Sequence, residues 1–528
     1  MNRFRDLILS TGWIVAFVPA FAAPAKDWPQ WGGDNSRNMV SDEKGLPESF
    51  TPGEKNSKTG RIDAATAKNV RWGVRIGSNT LSTPAVVHGR VYLGACDEGQ
   101  GLLKCLDAAS GGLLWQYTAP HRKVPRTIDG KMPFNFAHFA PQLGICSSPA
   151  VDDERVYFVN HRCEVVCLDA KGPAAGKAAA QASASAAPEA KVLWVFDMWE
   201  QTGDRPSDAC NGSPLLDGDL LYVCSSNGVD REASVSYADA RKTPAPDAPN
   251  LIVLEKRTGR LVATDAAAHI GPNMLHGQWS SPSAGVVRGK KLIFFGGGDG
   301  CCYAFEALDS IPAKPVKLKT AWSFDSNPPE YKSFGGLDWA THYSLGDKRL
   351  KKSLNKENDG RFVGMSEIVG TPVFYKDRIY VAIGRDPEHG RGHGALWCID
   401  AAGSGDITRT GCRWCYKGLD RTLSTAAIAG GLLYISDVAG RVHCLDAESG
   451  RCHWVYETKA TAWGSTYVAD GKVYVPTQKY LYVMAAGKEP RLLEKIRLGN
   501  AAFATPVVAN GTLYITSTRY LWAVQKTE

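Results

Sequence analysis

Ser82-Thr83-Pro84-Ala85-Val86-Val87-His88-Gly89-Arg90-Val91-Tyr92 is the stretch on which the fold turns, because seven more copies of its plan follow in the chain. The plan is a small residue, a hydroxyl residue, usually Pro, a short apolar run, a turn and an aromatic. The Pro position recurs at Pro84, Pro149, Pro214, Pro282, Pro372, Ala426, Thr466 and Pro506. Eight residues further on stand Tyr92, Tyr157, Tyr222, Tyr380, Tyr434, Tyr474 and Tyr514; in the fourth copy Phe294 stands twelve on. The residue before the Pro position is a hydroxyl in every copy: Thr83, Ser148, Ser213, Ser281, Thr371, Thr425, Ser465 and Thr505. One step earlier all are small, from Ser82 and Ser147 to Gly464 and Ala504. Turns such as Asp217-Gly218, Asp470-Gly471 and Asn510-Gly511 tolerate positive φ between apolar runs, which predicts a tight antiparallel hairpin at the start of each unit.

A third strand follows as Cys105-Leu106-Asp107-Ala108, Cys167-Leu168-Asp169-Ala170, Cys398-Ile399-Asp400-Ala401 or Cys444-Leu445-Asp446-Ala447. After a turn comes a fourth, carrying Trp115, Trp194, Trp322, Trp414 or Trp454. Successive Pro positions lie 65, 65, 68, 90, 54, 40 and 40 residues apart, so the bare unit is 40 residues and the others carry insertions. Four strands in about 40 residues is the signature of a propeller blade. The eighth copy runs out at Leu521-Trp522-Ala523-Val524, without a fourth strand, while Arg71-Trp72-Gly73-Val74 stands spare ahead of the first. The chain is therefore expected to be all-β, an eight-bladed β-propeller of four-stranded antiparallel blades closed by the N-terminal strand, leaving no open seam.

The organisation expected is a signal peptide over 1–22, an N-terminal segment over 23–70 and one propeller over 71–528, with 172–190 an exposed Ala-rich loop. Arg3 and Arg5, the apolar run Leu7 to Phe21 and Ala20-Phe21-Ala22 read as a cleavable export signal. No later segment is long and apolar enough for a membrane helix, so a periplasmic or extracellular location is expected. The formal charge is +7, with 61 basic and 54 acidic residues dispersed along the chain, which argues against a nucleic-acid partner.

The Leu-Asp-Ala-x-x-Gly…Trp unit and the Ser-Ser-Pro openings resemble the repeat of the pyrroloquinoline-quinone (PQQ)-like propeller superfamily, which includes quinoprotein alcohol dehydrogenases and the outer-membrane assembly factor BamB. Asp27-Trp28-Pro29-Gln30-Trp31-Gly32-Gly33 looks like the opening segment of exported members. The resemblance spans residues 27 to 526 and implies fold far more strongly than function. It implies two functions. One is a non-catalytic module binding a protein, a peptide or an envelope polymer through its loop face. The alternative is a PQQ-dependent dehydrogenase oxidising alcohols or sugars, with PQQ and calcium near Trp279 and the Cys301-Cys302 pair, since quinoprotein dehydrogenases can carry a disulfide between adjacent cysteines.

The residues favour the first. Those entering the innermost strands, Leu81, Cys146, Asn211, Trp279, Val369, Leu423, Trp463 and Phe503, form an uncharged ring without the carboxylate and amide cage that calcium needs. Cys301 and Cys302 are adjacent on a strand and so point to opposite faces. Cys105, Cys167, Cys398 and Cys444 occupy one repeat position, too far apart to pair, and read as free apolar fillers. Cys412-x-x-Cys415 flanks Trp414 on a strand, not a helix N-terminus that would activate a thiol. No catalytic residue and no metal site are assigned: His389 and His393 have zinc-pair spacing only on a helix, which Gly390, Gly392 and Pro387 oppose. Ligand-binding candidates are the loop residues His138, His161, Arg162, His276, Gln278, Asp386, His389 and His393.

Overall fold

Each copy of the motif folds as one antiparallel sheet. In blade 1 the strands are Ala85–Val87, Arg90–Asp97, Gln100–Asp107 and Leu113–Ala119. Innermost strands Ala150–Val151, Leu215–Asp217, Ser283–Val287, Val373–Tyr375, Ala427–Ala429 and Tyr467–Ala469 open blades 2 to 7. Blade 8 is Val507–Ala509, Thr512–Thr516 and Tyr520–Val524, completed on its outer edge by Val70–Arg75, with Val74 opposite Leu521. The ring thus closes through the N-terminal strand. The computed structural model describes residues 26–124, 127–128, 132–133, 135–152, 154–173, 188–228, 243–267, 269–334, 337–338, 364–384 and 392–526. The expected signal peptide, most of the 172–190 loop, Asp386 and His389 lie outside them.

The repeat residues work as a row across each blade. Tyr92 stands opposite Cys105, and Cys105 opposite Trp115. The small middle residue lets the outer rings meet over it, with centroids 5.9 Å apart. The same row is Tyr434, Cys444 and Trp454 in blade 6, and Tyr514, Ala523 and Trp72 in blade 8. The four equivalent cysteines are buried free thiols, as fillers of this gap must be. The fourth copy's longer offset has a simple cause. Its hairpin pairs Ser283 with Phe294, against Ala85 with Tyr92 in blade 1, and the two arms are longer by two residues each.

Tryptophans also tie blade to blade. The Trp72 indole donates to Ala108 O (2.9 Å), Trp322 to Ala401 O (2.9 Å) and Trp414 to Ala447 O (3.2 Å). That acceptor is the Ala of Leu-Asp-Ala in blades 1 and 6, and of Ile-Asp-Ala in blade 5. The Asp caps the following turn, Asp107 accepting the backbone N–H of Ser110 at 2.8 Å. The Gly must be Gly: at Gly111 φ is +67° and a Cβ would lie 2.6 Å from the Trp72 ring.

The obligatory hydroxyl has a different task. Thr83 N–H donates to Ser148 Oγ, Ser148 N–H to Ser213 Oγ, and Ser213 N–H to Ser281 Oγ, all at 2.9–3.0 Å. The pattern resumes through Thr371, Thr425, Ser465 and Thr505, and Thr505 returns to Thr83. At Thr371 the hydroxyl accepts the Trp31 indole N–H instead (3.1 Å). Side-chain acceptors one blade away satisfy the backbone of strands that begin too near the axis to pair with each other.

Residues 26–43 run round the inner ends of all eight blades. Trp28 exchanges backbone bonds with Val86, and Pro29 O accepts from Val151. Gln30 Oε1 accepts from Leu216, Asn35 O from Ala284 and Ser36 O from Phe374. Asn38 Oδ1 accepts from Ile428, Met39 O from Val468, and the Glu43 carboxylate from Asn510 N–H. Arg37 points inward and is fully buried, donating to Pro282 O (2.9 Å), Pro214 O (2.8 Å) and Trp31 O. This segment closes the axis at the end carrying the hairpin turns.

Candidate functional site

The open end of the axis lies opposite, where innermost strands begin and second strands end. The longest connections leave and re-enter the described strands at this face, from Ala119 to Ala150, Asp197 to Leu215, Cys224 to Leu251, Thr264 to Ser283 and Asp325 to Val373. At its centre Leu81, Asn211, Val369, Leu423, Trp463 and Phe503 are half-exposed, whereas Cys146 and Trp279 are buried. Trp463 and Phe503 stack with centroids 4.2 Å apart and planes 17° off parallel. This ring of eight residues is therefore mostly apolar and uncharged, but not inert. Trp463 Nε1 and Asn211 Oδ1 are shielded from solvent and find no hydrogen-bond partner among the described residues. They head blades 7 and 3, which face each other across an eight-membered ring. Residues on opposite sides of the ring thus carry an unpartnered donor and an unpartnered acceptor, each costing about 1–3 kcal/mol while unpaired.

A second polar cluster lies beneath the loops of blades 2 and 3. Asp204 is fully buried, and desolvation pushes its carboxyl up to about 7 against the hydrogen bonds from Thr202 and Ser225. Its Oδ1, with Ser207 Oγ and Ser226 Oγ, has no partner among the described residues. Cys96, Cys146, Cys163, Cys210 and Cys224 neighbour one another here, and burial pushes the Cys146 thiol up to about 12. Thiols this poorly ionised are packing groups, not nucleophiles.

The ligand candidates of the sequence are placed unevenly. His138 lies in a helix, Asn135–Leu143, that the loop reading did not anticipate; its side chain is outside the described residues. His161 is buried against Gly101, and burial, His121 and Arg162 pull its pKa down to about 3, so the ring is neutral. Arg162 pairs with Glu164 (2.9 Å). His276 is buried with its ring 5.0 Å from Trp279. Gln278 is fully buried, bonding Gly296 O (3.3 Å) and Gly298 N–H (2.6 Å). His393 bridges to Asp420 and packs its ring 5.8 Å from Tyr331. Those with described side chains brace loops more than they face solvent.

The groups that the quinone alternative invokes are each packed into their surroundings. Trp279 is only 7% exposed, and its indole N–H is spent on Ala209 O (3.2 Å). A Cβ on Gly277 would lie 2.4 Å from its ring, so backbone covers that face. Cys301 and Cys302 sit opposite Asp325 and Phe324 within blade 4, packed into cores on opposite sides of the sheet.

Eight four-stranded blades, locked by Trp-to-Ala bonds and a hydroxyl belt, define a PQQ-like β-propeller. The chain belongs to the family described as outer membrane protein assembly factor BamB, whose model matches residues 56–268 and 394–493, more than half of the 528. Among solved structures, BamB from Moraxella catarrhalis covers 86% of this chain and 97% of its own at TM-score 0.50 and 13% identity. A europium-containing methanol dehydrogenase covers 93% and 89% at TM-score 0.55 and 11% identity. A quinohemoprotein alcohol dehydrogenase from Pseudomonas putida covers 95% and 81% at 0.54 and 11%. Such identities show the fold and leave activity open. No curated protein sequence matches significantly. No helix among the described residues is long and apolar enough to cross a membrane.

Proposed function

We propose that the protein is an exported, non-catalytic binding module of the cell envelope that receives a polypeptide segment at the loop-face mouth of its axis. The observation that carries this reading is the pair of orphaned groups on opposite walls, Trp463 Nε1 and Asn211 Oδ1, in a ring that is otherwise apolar. A peptide unit offers the C=O that the indole lacks and the N–H that the amide oxygen lacks, and a neighbouring apolar side chain suits the Trp463–Phe503 stack. A charged ligand finds no counter-charge in this ring. The family's printed role in outer-membrane protein assembly agrees with a polypeptide ligand.

The test is site-specific photo-crosslinking from Leu423 and Val369 in cells, with Leu492 on an outermost strand as control. Crosslinks to a polypeptide from the axial positions alone, lost in Trp463→Ala, are expected. Purified protein that instead binds PQQ saturably with calcium and oxidises alcohols or sugars would replace this reading with the dehydrogenase one.

A further inference from the structure

A cavity of about 320 Å³ opens between the loops of blades 7 and 8, lined by Gln478, Lys479, Tyr480, Arg497 and Asn500 with the backbone of 499–501. No acidic side chain lines it. Lys55 reaches the same wall, donating to Leu498 O (3.1 Å) and Asn500 Oδ1 (2.7 Å). Burial and the neighbouring Arg519 charge both lower the Lys55 pKa, evidence that the cations feel one another. Lys495 lies over the Tyr480 ring, 4.0 Å from its centroid. Among the described residues no ion pair involves Lys55, Lys479, Lys495, Arg497 or Arg519.

Basic residues on a surface are ordinarily solvated or paired, and this molecule shows what pairing looks like. Two cavities on the opposite face, between blades 4 and 5, are lined by Arg288, Lys319 and Arg413 among others. They also contain acids, and Lys319 pairs with Glu306 (2.8 Å) and Arg413 with Asp400. The blade 7–8 cavity gathers cations without any such counter-ion. Like charges held around one concavity repel, and a bound anion relieves that repulsion.

We propose that this cavity is an anion subsite for the carboxylate of an acidic side chain on the polypeptide bound at the axis. Lys479 and Arg497 supply charge, and Gln478 and Asn500 supply amide donors. The cavity wall continues through Ala501 and Ala502 to Phe503, so a chain seated on the aromatic stack reaches it within a few residues, at about 3.3 Å per extended residue. Backbone bonds from Ala502 N–H to Thr477 O (3.0 Å) and Thr518 N–H to Ala501 O (2.8 Å) hold the wall between both blades. The polypeptide source rests on the axial reading; the anion site itself does not.

The experiment measures fluorescence anisotropy of labelled heptapeptides alternating Leu and Glu, or Leu and Gln, against the full chain. Wild type is expected to bind the Glu peptide at least tenfold more tightly, with the advantage shrinking as salt rises. Lys479→Gln with Arg497→Gln abolishes that advantage and leaves the Gln peptide unaffected; both sites are exposed, so folding is retained. Trp463→Ala weakens both peptides. Equal binding of the two peptides to wild type, or an advantage surviving the double variant, overturns the anion subsite and spares the axial reading. An unchanged affinity in Trp463→Ala with a working double variant overturns the axial reading alone. Inorganic phosphate displacing the Glu peptide at lower concentration than acetate does would assign the subsite to free phosphate and overturn the carboxylate assignment.

Discussion

Thr505 donates its backbone N–H to the Thr83 hydroxyl at 3.0 Å, joining the last innermost strand to the first across 422 residues of chain. Both residues are buried, so no water substitutes for the acceptor. Thr83→Val keeps the shape and removes the oxygen, stranding the Thr505 N–H at a cost of about 1–3 kcal/mol. Thr83→Ser keeps the oxygen and should unfold within about 0.5 kcal/mol of wild type. Urea midpoints of the three proteins decide it: equal midpoints for Thr83→Val and Thr83→Ser mean that the belt adds nothing to closure.

Arg37 spends its guanidinium on backbone carbonyls of Pro214, Pro282 and Trp31, and burial pulls its pKa down to about 9, still charged at neutral pH. Arg37→Met should lower stability by about 2–5 kcal/mol, because three carbonyls lose a charge-assisted donor at once. Gly32→Ala should act through the same contact. Its φ is +75° and a Cβ would lie 2.5 Å from Arg37 Cα, so the turn that aims Arg37 must open. Limited proteolysis is the readout, with cleavage inside 26–43 accelerated in both variants. Resistance equal to wild type would show that the axis closes without this segment.

Ten of the fourteen cysteines are buried, three are half-buried and Cys412 is exposed. Iodoacetamide reacts with the thiolate, and even at Cys412 burial raises the thiol pKa. Native protein at pH 8 should therefore be alkylated slowly, first at Cys412, with Cys302 and the repeat cysteines protected until denaturant is added. Peptide mapping that recovered Cys301 joined to Cys302 would contradict their placement on opposite faces of one strand and revive the quinone alternative.

What was legible in the sequence was whatever repeats. Eight hydroxyls at one position, a Trp on five outer strands and a spare Trp72 strand can be read without coordinates, because the blades solve one packing problem. The partner of each hydroxyl is not legible: the repeat aligns Thr83 with Ser148, but nothing in the pattern says that one copy's backbone N–H donates to the next copy's side chain. The task of the 26–43 segment is hidden for a related reason: Asp27 to Gly33 resembles an opening segment, but its contacts fall on successive blades, so Gln30, Asn35 and Asn38 look like ordinary loop polar residues. His161, His276 and Gln278 look like ligand candidates in the sequence because polar loop residues are usually exposed; in the fold all three are buried. The basic cavity draws Lys479 and Arg497, with Lys55 bonded to its wall at Asn500, from three separate loops, and only the folded ring brings them together.

Asp204 makes stability depend on pH. Its ordinary value is 3.8 and burial raises it to about 7 in the fold. Between those values the unfolded chain has released the proton that the folded protein still holds, so stability falls as pH rises through this window, and the full penalty is present above about 7. Asp204→Asn carries no charge to bury and keeps an oxygen to accept from Thr202. The two proteins should therefore unfold alike near pH 4, and the variant should gain on the order of 2–4 kcal/mol over wild type by pH 8. Thermal unfolding followed at pH 4, 6 and 8 reads this directly. Parallel profiles would mean that burial does not raise the Asp204 pKa and that the carboxyl is ionised in the fold at neutral pH.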